Sequence, residues 1–270
     1  ALPICLSAVT MVTSFTTRVS VMFIVLVCQF SGGQSQGFYP SIVRIVRQSD
    51  VGERYPNCTG VLISSRVVLT RKNCVRDVQG NVSELAIAPD ADGNFVATVP
   101  RDGVKGYHIH DSKDIMLVEM KNDVTFQMTM FPVCLRKGGV PVQGGMARRQ
   151  TFNPHYKQES NESLVLDRTV TVVDLTSCTG SSSTRNKVCI ACDELFENGD
   201  RGDPIIFYSD QLNNYLLALS SDEQRSCKKT GDTSSHLDIS TLRKWIEEQT
   251  GELPGENYCG VCTPNCPTSQ

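Results

Sequence analysis

The sequence predicts an all-β fold, a barrel or a sandwich, with one helix near its C-terminal end. Three observations predict it. Short runs rich in β-branched residues recur along most of the chain, Gly, Asp, Asn and Ser separate them, and one segment around Trp245 has helical periodicity. Residues 41–47 alternate apolar and polar side chains, as a half-buried strand does. Residues 60–63 and 67–70 form a β-branched pair split by Ser64 and Ser65. Residues 115–120, 164–174, 204–208 and 215–219 follow with the same enrichment. Ser240 is placed to cap a helix over 241–250, with Leu242, Trp245, Ile246 and Gln249 on one face and Gly251 just past its end. Such a helix packs its apolar face as a lid on the β-structure.

At 270 residues the chain is long enough to bury a sizeable core. Its net charge of −3 supplies no basic footprint for nucleic acid or an anionic membrane. Residues 1–33 read as a leader: Arg18 precedes the apolar run 19–27, and the small residues Ser31, Gly32 and Gly33 follow, the pattern of a secretory signal peptide, with Met11 as its initiator. The run is too short for a membrane span, so no membrane association is expected after cleavage. Secretion implies an oxidising compartment, and the ten cysteines beyond the leader form an even set, as a disulfide framework requires. Sequons at Asn57, Asn81 and Asn161 fit the same compartment. The main domain is expected over 34–250, and 251–270, rich in Pro, Gly and Cys, reads as a disulfide-tied extension.

Residues 58–75, CTGVLISSRVVLTRKNCV, resemble the segment written CGGSLIxxxxVLTAAHCV in the chymotrypsin-like (trypsin-like, S1) serine proteases. Downstream, SKDIMLVEM resembles the family's NDIALLxL, FPVCLR its PICLP, GDRGDP its GDSGGP, and SSHLDISTLRKWI its terminal VYTRVSxYxxWI helix. The order and spacing of these segments cover residues 39 to 250. The resemblance implies a double six-stranded β-barrel with a C-terminal helix. It also implies three bridges: Cys58 with Cys74, Cys178 with Cys189, and Cys192 with Cys227, although Cys192 lies several residues earlier than the family pattern.

Carried over residue by residue, the resemblance puts Asn73 at the catalytic histidine, Asp114 at the triad aspartate and Arg201 at the nucleophile. Acyl transfer by a triad needs a hydroxyl, an imidazole to move its proton, and a carboxylate to orient the imidazole. An amide cannot act as a general base, and a guanidinium has only donors. Asp114 alone keeps its type, and its expected partners are the Asn73 amide and the Arg201 cation. Asp203 replaces the second glycine of the family motif, Ser220, Ser221 and Asp222 stand in place of SWG, and Leu195 falls at the floor of the specificity pocket. No IVGG precedes the first strand, which leaves Asp200 without the family's activating ammonium.

The implied function is that of a secreted, non-catalytic protease homologue that binds an extracellular protein, a protease or protease inhibitor among the candidates, and needs no cofactor. Two alternatives are an active serine-type endopeptidase and an adhesion ligand read literally from Arg201, Gly202 and Asp203. His108 and His110 share a strand face, a spacing compatible with metal, but two ligands without a third make no site. The loop acids Asp193, Glu194 and Glu197 read as solvated, and CGVC at 259–262 lacks the βαβ setting of a redox motif. No metal is expected.

Overall fold

A computed structural model describes residues 39–47, 58–72, 74, 82–89, 94–126, 129–136, 144–152, 164–178, 186–192, 202–208, 214–220 and 229–251. Asn73, Arg201, Cys227 and the sequon residues Asn57, Asn81 and Asn161 lie outside these residues, as do the leader and the Cys-rich extension beyond Gly251. Seven strands form the first sheet: β1 (Ile42–Arg47), β2 (Thr59–Leu62), β3 (Val67–Thr70), β4 (Val82–Pro89), β5 (Phe95–Pro100), β6 (Val104–Ile109) and β7 (Met116–Met120). Their spatial order is β5-β4-β1-β2-β3-β7-β6. The two edge strands are consecutive in the chain and joined by a single 3₁₀ turn, Arg101–Gly103, so the sheet curls into a half-barrel.

The second sheet contains β8 (Cys134–Leu135), β9 (Met146–Phe152), β10 (Val165–Val173), β11 (Lys187–Cys192), β12 (Pro204–Tyr208), β13 (Asn214–Leu219) and β14 (Thr233–Asp238). Six of them run in the order β12-β9-β10-β11-β14-β13, and β12 also pairs with β13 to close the ring. The two-residue β8 adds a parallel edge to β13. The fold is therefore the all-β pair of barrels with a C-terminal helix that the resemblance implies: a closed barrel of the six strands expected, and a half-barrel that counts seven because the 3₁₀ turn separates β5 from β6.

Strand periodicity divides the core. In β7, Met116, Val118 and Met120 fill the first barrel, while Leu117 and Ile115, the residue before the strand, face a second cluster shared with Ile206, Leu216 and Leu219 of the other barrel. Val68 and Leu69 of β3 divide in the same way. Both faces of these strands are apolar because both are covered, which explains their nearly continuous hydrophobic runs. A third cluster, including Ala147, Val170, Ile190 and Ile205, fills the second barrel.

The helical end begins earlier than the sequence suggests. A 3₁₀ turn, Ile239–Leu242, precedes α1 (Arg243–Thr250). The cap is Asp238 rather than Ser240: its Oδ1 accepts the Ser240 N–H at 2.9 Å, and the Thr241 hydroxyl donates to the Asp238 carbonyl at 2.7 Å. Asp238 prevails because Arg136 also holds its carboxylate, at 2.9 Å, so one buried side chain caps the turn and anchors it to the chain after β8. Ile239, Leu242 and Ile246 bury the lid in the inter-barrel cluster, and Gly251 takes φ +79° just past the helix.

Candidate functional site

The site is built where strand ends from both barrels meet. Antiparallel pairing of β3 with β7 sets Thr70 opposite Met116, which brings Arg71, just past β3, beside Asp114, just before β7. In the second barrel Pro204 pairs with Leu219, and the Ser220 N–H donates to the Asp203 carbonyl at 2.9 Å. Arg71 joins the two halves. Its Nε donates to Asp114 Oδ2 at 2.8 Å, Nη2 donates to the same oxygen, and Nη1 donates to the Ser220 carbonyl at 2.8 Å.

Arg71, an arginine on the neighbouring strand end, is a charge partner of Asp114 that the sequence does not suggest; the expected partners Asn73 and Arg201 fall outside the described residues. Arg71 is 9% exposed, and Asp114 keeps 30% of its side chain accessible. A rigid guanidinium fork suits this bridge, since its donors point to two acceptors at once.

Behind the bridge lies a second arginine–aspartate pair. Asp203 is fully buried, and its Oδ2 accepts from Arg149 Nε at 3.3 Å and Nη2 at 3.1 Å. Arg149, on β9, is 1% exposed. Burial pushes the Asp203 carboxyl up to about 6, while Arg149 and, to a smaller degree, the Thr151 and Thr59 hydroxyls pull it down. Burial prevails because Asp203 Oδ1 and Thr59 Oγ1 have no hydrogen-bond partner of good geometry among the described residues, and a half-satisfied carboxylate gains from protonation.

Gly202 sits beside this pair at φ +83°, where a Cβ would come within 2.4 Å of the Thr59 carbonyl oxygen. That carbonyl is already held by the Thr70 hydroxyl at 2.9 Å. Gly202 thus packs against the β2–β3 hairpin. A buried Asp203 that is spent on Arg149 does not supply the exposed carboxylate that the adhesive reading of residues 201–203 needs.

His236 and Ser234, neighbours on one face of β14, complete the buried polar set. The Ser234 hydroxyl and His236 Nε2 are 2.7 Å apart. Burial holds the ring neutral, lowering its pKa to about 3, with Arg149 and Arg71 adding charge repulsion. The sequence gives His236 no motif, and only the fold sets it near two guanidinium groups.

The histidines with metal-compatible spacing have other contacts. His108 Nε2 lies 3.0 Å from Glu119 Oε2, and its Nδ1 lies 3.3 Å from Gln249 Oε1. His110 packs on Trp245. Among the described residues no cluster of three ligands could hold a metal ion.

Disulfides join Cys58 to Cys74 and Cys178 to Cys189, with Cα atoms 5.4 and 6.0 Å apart. Cys134 and Cys192 are disulfide-bonded as well. The first bridge encloses β2 and β3, and so ties the chain that leads out of Arg71 back to the strand that supports Gly202. The family model described as Trypsin matches residues 31–246. The chain belongs to the trypsin family. No curated protein matches it in sequence. Arg71, Asp114 and Ser220 meet where strand ends of the two barrels come together, and Arg71 stands where the resembled family segment has alanine.

Proposed function

We propose that this trypsin-family chain acts outside the cell as a non-catalytic binding protein, a regulator or decoy for a protease or protease inhibitor. The observation that carries the reading is the Arg71 bridge. A triad aspartate works by orienting a neutral imidazole through a hydrogen bond. Asp114 instead receives two donors from a guanidinium that stays protonated at any physiological pH, and the third donor takes the Ser220 carbonyl. A guanidinium is no base, so this contact orients nothing that could take a proton from a nucleophile.

The residue types at the other triad positions support the same reading, since neither the amide of Asn73 nor the guanidinium of Arg201 replaces a base or a nucleophile. The leader and the cysteine framework support secretion. A fluorophosphonate probe, which reports activated serines, tests the central claim on the intact secreted protein. The expected result is no labelling under conditions that label trypsin fully. Stoichiometric labelling of any serine in the folded protein would overturn the proposal.

A further inference from the structure

His110 directly follows β6 and opens the turn that ends on Asp114. Its Nδ1 accepts the backbone N–H groups of Ser112 and Lys113, each at 3.2 Å. Its own N–H donates to the Ile115 carbonyl at 3.1 Å and closes the turn at its base. The ring also packs on Trp245 of α1, with centroids 4.8 Å apart and planes inclined at 53°. A ring nitrogen that accepts two N–H donors carries no proton, so this geometry selects the neutral imidazole with its hydrogen on Nε2.

We propose that His110 is the positioning residue for Asp114 and acts as a pH-sensitive catch on the site. With Nδ1 bare it holds the turn 111–114 in the register that Arg71 captures. A proton on Nδ1 sets a donor against two donors, the turn lets go, and the Arg71–Asp114–Ser220 bridge loosens with it. The inference does not depend on whether the chain cleaves peptides.

The groups around His110 decide what acid does. Within its own turn are Asp111, Lys113 and Asp114. From α1 it meets the uncharged Trp245 ring, which tolerates a cation on its face. Two residues back on β6, His108 faces Glu119 of β7, whose other oxygen accepts from Lys105 at 2.7 Å, and Gln249 of α1. Lys105 foremost, with His108, keeps the Glu119 carboxyl below its usual range, so a carboxylate is present for His108 throughout the acid range concerned. Both nitrogens of His108 face oxygen acceptors, so His108 ties β6 to β7 and to α1 by contacts separate from the His110 turn. A protonated Nδ1 has no lone pair left for either N–H group of that turn.

Nuclear magnetic resonance on the full chain tests the catch. At pH 7.5 the ring nitrogen shifts of His110 should report an unprotonated Nδ1. Between pH 7.5 and 5, exchange of the Ser112 and Lys113 amides, corrected for its intrinsic pH dependence, should accelerate about tenfold, the equivalent of one net hydrogen bond lost. The Arg71 Nε–H should follow the same course. His110→Asn, whose Oδ1 accepts without titrating, should stay slow at both pH values, and His110→Phe, which keeps a ring on Trp245 without the acceptor, should be fast at both. Equal protection of the wild type at the two pH values overturns the proposal, as does an acid loss in His110→Asn or an Arg71 Nε–H that ignores the change. If His110→Phe does not fold, the wild type and His110→Asn still decide.

Discussion

Two buried groups beside the site should oppose each other in the pH dependence of stability. Asp203 has its carboxyl raised from 3.8 to about 6, so the folded chain holds that proton more tightly than the unfolded chain does. Its contribution is full below pH 3.8 and is lost as pH rises through about 6. At 1.36 kcal/mol per pH unit, the loss is about 3 kcal/mol. His236 runs the other way. Its pKa is lowered from 6.5 to about 3, so its contribution is present above pH 6.5 and is lost as pH falls through this window. Over the part between pH 4 and 7, that loss is again about 3 kcal/mol. The two slopes cancel in the wild type. Asp203→Asn removes one carboxyl titration, and His236→Phe removes the opposing imidazole. Urea unfolding at pH 4, 5, 6 and 7 gives each variant's stability relative to the wild type at the same pH, a difference in which all shared titrations drop out. Relative to the wild type, Asp203→Asn should gain about 3 kcal/mol from pH 4 to 7 and His236→Phe should lose about as much. Differences that do not change with pH in both variants would refute the assignment of these two groups.

Arg71→Ala removes the inter-barrel bridge and leaves Asp114 and the Ser220 carbonyl without its three donors. About 1–3 kcal/mol of stability should be lost, seen in a thermal melt as roughly 3–10 °C, and Arg71→Lys should recover little of it because one ammonium cannot match the fork. Gly202→Ala should cost about 3 kcal/mol or more, from a left-handed backbone and a collision with the Thr59 carbonyl, and should appear as a collapse in the yield of folded protein.

Much of the fold is legible in the sequence because its strands are written in β-branched residues. The hairpin β2–β3, the strand β7 and the pair β12–β13 all coincide with apolar runs that are covered on both faces. β9 is not legible in this way. Its sequence, MARRQTF, has two adjacent arginines in place of an apolar run, because Arg149 is buried on Asp203 and Arg148 pairs with Asp167 of the neighbouring strand at 2.9 Å. Local hydropathy cannot register a charge whose counter-charge is supplied from 54 residues away. The start of the helical end is illegible for a related reason, since Asp238 is held for its capping role by Arg136, a contact that only the fold supplies. Of the site, Asp114 is legible from SKDIMLVEM, whereas Arg71 hides in LTRKNC as one of two basic residues at a strand end. The signal that could have found it is the mismatch itself: a long cation where the resembled motif has alanine, one residue past a buried strand, must find an acceptor inside the protein.

Gly202 changes what the GDRGDP signature is worth as a diagnostic. Its left-handed backbone and the Thr59 oxygen 2.4 Å from a would-be Cβ make glycine obligatory for closing the second barrel against the β2–β3 hairpin. Any chain that folds this way must keep that glycine whether or not it has chemistry to perform. A search that scores the motif as a unit therefore credits to catalysis a letter that the packing of this fold requires in its own right.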